Sequence, residues 1–236
     1  MTLLGFDTAT TTCSAALWAD GAVVAHRRSE AGGRHAEALV PMQREVAAEG
    51  GTMLAAVDRF AVTVGPGSFT GIRIGLATAR GLALASQRPL IGLSTLEVLA
   101  AGVPAAEREG PILAALDAGR GRLYAQLFDR SLNALSQPEA VMAEALPGFV
   151  AAANGGPLIV AGTGQDAALA ALAPAVDARS ATGLHTPDAR VLVRCAAARA
   201  EGQSERDITA PVRPLYLREA GAKLKAERVG AGAPHG

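Results

Sequence analysis

The chain is expected to be an α/β protein whose mixed sheets are covered by helices. Strand-like segments come first in hairpins and then alternate with helix-like segments, as a mixed sheet layered with helices requires. The opening pattern then recurs in the second half. Asp7 lies ten residues before Leu17 in "GFDTATTTCSAAL", and Asp117 lies ten before Leu127 in "ALDAGRGRLYAQL". Each stretch has an apolar strand before the Asp and an alternating one after it. "LIVAGTG" (158–164) later repeats the strand-then-glycine pattern of "AVTVGPG". Two recurrences in the same order point to an internal duplication.

The elements follow in order. "LLGFDTA", "CSAALWA" and "AVVAHRRSE" read as strands, the last two flanking Asp20-Gly21, a strong hairpin signal. A helix over 34–49 contains Pro41, which lacks an N–H and should kink it. "RFAVTV" is a strand, followed by a glycine-rich turn and a helix from about 70 to 86. "PLIGLS" is another strand, and "TLEVLAAG" is a helix capped by Ser94 or Thr95. "AGVPAAEREGP" (101–111), with two prolines and a charge cluster, is the boundary candidate. The expected division is 1–104, a smaller unit over 105–228, and a flexible Gly/Ala/Pro-rich tail at 229–236.

Bulk composition narrows the function classes. Among 236 residues, 50% are hydrophobic, enough for a sizeable core. Lys+Arg and Asp+Glu are 22 each, so no global field draws the chain to nucleic acid or to an anionic membrane. Contact with RNA has to be local or shared with a partner. Cys13 and Cys195 have no ligand-like spacing and read as buried, reduced thiols. The N-terminus lacks the pattern of a signal peptide, and no apolar run is long enough to span a bilayer. A soluble, cytoplasmic protein is expected.

"TVGPGSFTGIRIG" (63–75) raises the question of phosphate. It lacks the lysine of a P-loop, and Gly65-x-Gly67-x-x-x-Gly71 is one residue longer than the dinucleotide fingerprint. Ser68 and Thr70 suit helix capping. Arg73, near the positive end of the helix dipole, is unfavourable there unless an anion or acid is close. Weak phosphate contact by Gly67, Ser68 and Thr70 is one reading, and a tight strand-to-helix turn is the other. In the following helix Ile72, Ile74, Leu76, Leu82 and Leu84 point all around the axis, and the only charges are Arg73 and Arg80. Gly71, Gly75 and Ala79 form a line of small residues that lets another backbone come close, either the sheet or a partner. Such a helix is buried on more than one side, as the centre of its own domain or against a second protein.

Candidate chemical groups do not assemble into a catalytic set. His35 opens a helix, but the residue four positions on is Leu39, so one helix face does not carry two imidazoles for a metal. His26, His185 and His235 lack matching partners. Asp7, in "DTATTT", could hold the Mg²⁺ of a nucleotide or satisfy turn N–H groups. No G-x-S-x-G elbow is present, and Cys13 lacks an evident base.

These residues resemble the TsaB (YeaZ) family of tRNA threonylcarbamoyladenosine synthesis. The resemblance runs through "FDTATTTCSAALW", "RHAEALVPM", "VGPGSFTGIRIG", "ARGLALA", "GLSTLE" and "LDAGRGRLYA" to "PLYLR". It implies the actin/hexokinase-like ATPase (ASKHA, ribonuclease H-like) fold, with a duplicated βββαβα unit. It also implies a degenerate paralogue of the catalytic subunit TsaD, whose H-x-x-x-H metal motif aligns with His35-x-x-x-Leu39. No catalytic and no metal-binding residues are then expected, and no cofactor is required by this chain alone. ATP or ADP is expected at the complex interface, TsaD and TsaE as partners, tRNA only through the complex, and self-pairing when TsaD is absent. The TsaD-facing residues are expected to be His35, Leu39, Met42, Val46, Gly71, Ile72, Arg73, Gly75 and Ala79. Nucleotide contact falls to Asp7, Gly67, Ser68 and Thr70. The implied role is a scaffold for threonylcarbamoyl transfer to the adenosine beside the anticodon of tRNAs reading ANN codons. The alternative is an active phosphotransferase or glycoprotease-like enzyme of the same fold. Where the family has D-A-R-x-G, this chain has Gly119, and the role of that arginine passes to Arg120 or Arg122 or is lost.

Overall fold

A computed structural model describes residues 1–30, 32–153, 155–173, 175–183, 185–202 and 211–217. The expected tail at 229–236, His235, and Arg218 of "PLYLR" lie outside these. Strands β1 (Leu3–Asp7), β2 (Thr12–Ala19) and β3 (Ala22–Glu30) form an antiparallel meander, with Leu3 opposite Trp18 and Ala19 opposite Ala22. Asp20 and Gly21 both have positive φ, 52° and 80°, the twist that a tight hairpin needs. Helix α1 (His35–Glu49) runs unbroken through Pro41 into β4 (Arg59–Thr63), which lies parallel to β1. Helix α2 (Phe69–Ser86), β5 (Leu90–Leu93) and α3 (Thr95–Gly102) follow, with Ser94 capping α3 through Leu96 N.

The second half repeats this order. Strands β6 (Ile112–Gly119), β7 (Arg122–Phe128) and β8 (Glu139–Met142) precede the short α4 (Leu146–Phe149). Strand β9 (Leu158–Ala161), α5 (Gln165–Leu172), β10 (Ala178–Ser180) and α6 (Ala189–Gly202) complete it. The sheets run β3-β2-β1-β4-β5 and β8-β7-β6-β9-β10, so each strand of one has its counterpart in the other. Each contains two parallel pairs at the same places, β1–β4 and β4–β5 in one and β6–β9 and β9–β10 in the other.

Both faces of the first sheet are covered, which is why "LLGFD" is buried at every position. On one face Leu4, Phe6, Phe60 and Val62 pack with Leu39 and Val46 of α1 and with Ile72 and Leu76 of α2. On the other, Leu3, Ala16 and Ala61 pack with Leu192 and Val193 of α6. Each fully buried Leu, Ile or Phe stabilises by roughly 1.5–3 kcal/mol. Helix α3 packs instead on the second sheet, where Leu96, Leu99 and Val103 meet Ile112, Ala114 and Ile159. The last helix of each half therefore covers the sheet of the other. Arg199 of α6 ties the two helices by pairing with Glu97 of α3 and donating to the Gly92 carbonyl at 3.1 Å.

Candidate functional site

The two halves bring equivalent turns together. After β1, the Ala9 N–H donates to Asp7 Oδ1 at 3.2 Å; within β6, the Gly119 N–H donates to Asp117 Oδ1 at 2.8 Å. A threonine from the neighbouring parallel strand or its turn joins each carboxylate turn. Thr63 donates to Asp7 Oδ1 at 2.5 Å, and Thr163 Oγ1 accepts from the Asp117 N–H at 3.0 Å. The glycine loops lie against these turns backbone to backbone, Ser68 N–H on the Ala9 carbonyl at 2.7 Å and Gly164 N–H on the Ala115 carbonyl at 3.0 Å. A Cβ at Gly67 would overlap the Ala9 carbonyl oxygen. The loop is poor in side chains because its own neighbouring turn fills that space.

Between the turns lies a cleft of about 540 Å³, lined by Thr10, Thr11, His35, Ser68, Asp117 and Tyr124 among others. Among the described residues it offers hydroxyls and backbone N–H groups but neither Lys nor Arg, so this lining supplies little charge for a polyphosphate. Of the residues expected to touch nucleotide, Gly67 and Ser68 line it and Asp7 and Thr70 do not. Ser68 also caps α2, accepting from Gly71 N–H at 3.3 Å. Asp7 lies on the same sheet face as Leu3 and Gly5, toward α6, and is fully buried. Burial pushes its carboxyl up to about 7 against the opposing hydrogen bonds from Thr63 and Ala9, and Oδ2 has no hydrogen-bond partner among the described residues. A carboxylate so placed does not reach a cation in the cleft, and its turn-satisfying role is the one the geometry supports.

His35 is engaged in the backbone of the first turn. Its Nε2 lies 2.9 Å from the Thr10 carbonyl and 3.3 Å from the Thr12 carbonyl, so this nitrogen carries the proton and donates to both. It pins the start of α1 to the β1–β2 connection.

The expected partner surface requires correction. His35, Leu39, Met42, Val46, Gly71, Ile72, Gly75 and Ala79 are all buried within this chain, and only Arg73 is exposed. The glycine line faces the chain's own sheet: a Cβ at Gly71 would overlap the Thr8 carbonyl, and one at Gly75 would crowd the Thr8 hydroxyl. Apolar residues at helical spacing mark the face turned to the core, and the outer face consists of the residues between them. On α2 these are Phe69, Arg73, Ala77, Arg80 and Leu84, with Phe69 53% and Leu84 81% exposed. The helix is not buried all around in this chain. Arg73 lies 3.7 Å over the Phe69 ring and donates from Nε to the Tyr216 hydroxyl at 3.3 Å, both of them neutral groups. Residues 211–217 run past this end of the sheet, Leu215 N–H donating to the Val64 carbonyl at 2.7 Å. Phe69, Tyr124 and Tyr216 were not singled out by spacing, although aromatic residues are only 3% of the chain.

A second polar group lies under α6. Asp188 is buried at its N-terminus, with Arg190 Nε at 2.9 Å, His26 Nε2 at 3.2 Å and Arg28 Nη1 at 3.7 Å. Burial pushes its carboxyl up, but hydrogen bonds from His26 and Arg190 outweigh this and hold it well below the usual carboxylate range. Among the described residues no cluster of three metal-ligating side chains is present, and no helix is long and apolar enough to cross a membrane.

A family model described as TsaD, tRNA N6-adenosine threonylcarbamoyltransferase, matches residues 27–226. The Escherichia coli (strain K12) "tRNA threonylcarbamoyladenosine biosynthesis protein TsaB" is 39% identical over 150 residues, 64% of each chain. The match thus spans less than two thirds of that relative's length. The structure of YeaZ from Pseudomonas aeruginosa superposes with a TM-score of 0.73 at 31% identity, covering 92% of this chain and 99% of that one. The ROK hexokinase from Thermus thermophilus shares the fold, with a TM-score of 0.53 at 14% identity, over 86% of this chain and 100% of that one.

Proposed function

Because this chain belongs to the TsaB (YeaZ) family, we propose that it serves threonylcarbamoyladenosine biosynthesis in tRNA as a non-catalytic partner of TsaD. The observation that carries this is the pair His35 and Leu39. The resemblance aligns the TsaD metal motif with these positions, but Leu39 is fully buried in the apolar core and the His35 Nε2 proton is given to two carbonyls. A chain built this way contributes surface to the complex, and the transfer chemistry belongs to TsaD. The partner meets the α1 and α2 side through the outer faces of these helices. TsaE joins the assembly, and the chain pairs with itself when TsaD is absent.

Equal numbers of acidic and basic residues support tRNA contact through the complex only. ATP or ADP binds where the cleft's Gly67 and Ser68 are completed by cationic groups of a partner, and the chain alone requires no cofactor. The setting is the cytoplasm. The test is reconstitution of the modification on a tRNA reading ANN codons, from TsaD, TsaE and threonylcarbamoyl-adenylate, with and without this chain. Modification should depend on it, while the chain alone turns over no ATP. Full modification in its absence, or ATP turnover by the purified chain, would overturn the proposal.

A further inference from the structure

The outer face of α2 carries charge of one sign. No Asp or Glu occurs from Phe69 to Ser86, and Arg73 and Arg80 both stand on the exposed side with Ala77 between them. Beyond the helix, Arg88 and Arg213 join Arg80 around an open groove of about 610 Å³ whose apolar lining includes Leu84, Leu90 and Val212. Arg73 and Arg80 have neutral partners among the described residues: Arg73 the Phe69 ring and Tyr216 hydroxyl, Arg80 the Val212 carbonyl at 2.7 Å. These contacts fix both guanidiniums in place, and none of the contacting groups carries a negative charge. A planar, pre-positioned guanidinium with spare donors suits a carboxylate in bidentate geometry.

We propose that the TsaD element docking here is acidic as well as apolar: a helix with two carboxylates about two turns apart and small or apolar residues between. Seven residues separate Arg73 from Arg80, which at ~1.5 Å per residue places them roughly 10 Å apart along the helix axis. An apolar residue of the partner lies against Ala77, and another enters the groove beside Leu84. The inference rests on the docking side proposed above and adds the chemistry of the surface that fits it. Charge complementarity selects an acidic element: Arg73 and Arg80 on the helix, with Arg88 and Arg213 at the groove, face no carboxylate of α2 itself. A nucleic-acid strand would leave the intervening apolar surface without a use.

The test places opposite charges at one exposed position whose side chain serves no internal contact. Ala77→Lys and Ala77→Glu, each checked for an unchanged circular-dichroism melt, are titrated calorimetrically with TsaD at low and at physiological salt. Ala77→Lys should bind at least tenfold more tightly than Ala77→Glu, whatever bulk at this position costs both, with the gap narrowing as salt rises. Equal binding by the two variants, whether unchanged or equally weakened, would overturn the acidic partner while leaving TsaD docking intact. A parent chain that does not bind TsaD at all would overturn both. An effect of these variants on tRNA affinity of the lone chain, with TsaD binding unchanged, would assign the stripe to RNA instead.

Discussion

The Thr63 hydroxyl donates to Asp7 Oδ1 at 2.5 Å across the parallel β1–β4 pair, in a position with no access to solvent. This bond and the Ala9 N–H favour the charged carboxylate, yet burial dominates and the group titrates near neutrality, at about 7.

Folded Asp7 holds its proton more tightly than it does in the unfolded chain. Its contribution to stability is therefore complete below the unfolded carboxylate range, near pH 4, and is lost as pH rises toward about 7. Asp7→Asn should match the parent in urea unfolding near pH 4 and exceed it by about 1–3 kcal/mol at pH 8. A constant difference between the two across that window would remove burial of the charge as the cause. Asp188 and its cationic partners are common to both proteins, so they cancel in the comparison.

Asp188 has the opposite sign. Its carboxyl is held low, so the stability it contributes is present above the usual carboxylate range and is lost as pH falls through its depressed value. Asp188→Ala should cost about 2–3 kcal/mol at pH 7, since it leaves Arg28 and His26 facing an uncapped α6. Partial exposure of both cations keeps the cost below that of a fully buried pair. Chemical denaturation at pH 7 and pH 3 should show the difference between parent and variant shrinking in acid.

Two glycines of α2 should respond in opposite directions to alanine. Gly71→Ala drives a Cβ into the Thr8 carbonyl and should cost about 3 kcal/mol or more, by pushing α2 off the β1–β2 turn. Gly81→Ala projects into open space and should stabilise by up to about 1 kcal/mol. Thermal melts of the two variants check both directions.

Local signals in the sequence were legible because their cause is local. Asp20-Gly21 marks a hairpin through backbone conformation, Ser94 caps α3 with its own hydroxyl, and the Asp7 and Asp117 turns recur because each bonds the N–H two residues on. Long-range choices left weaker marks. Leu39, Met42 and Val46 were visible as a stripe, but a stripe does not say whether the chain's own sheet or another protein lies against it; Phe60 and Val62 of β4 decide that. Whether Asp7 looks into the cleft or toward α6 depends on strand pairing and on where a helix far along the chain comes to rest. The cleft itself is assembled from segments far apart in the chain, and the second Asp turn and Thr163, unlike the glycine loop, the first Asp turn and His35, carry no local mark of a ligand site.

The crossing of α3 and α6 makes the duplicated halves inseparable. A chain ending near residue 104 would present a sheet with one side wet and a helix stripped of most of its packing, and the remainder would have the complementary defect. Neither copy of the ancestral unit could be shed once this exchange was established, however far its surface drifted. Cleavage in the 103–110 connection should leave two fragments that stay clasped and melt together.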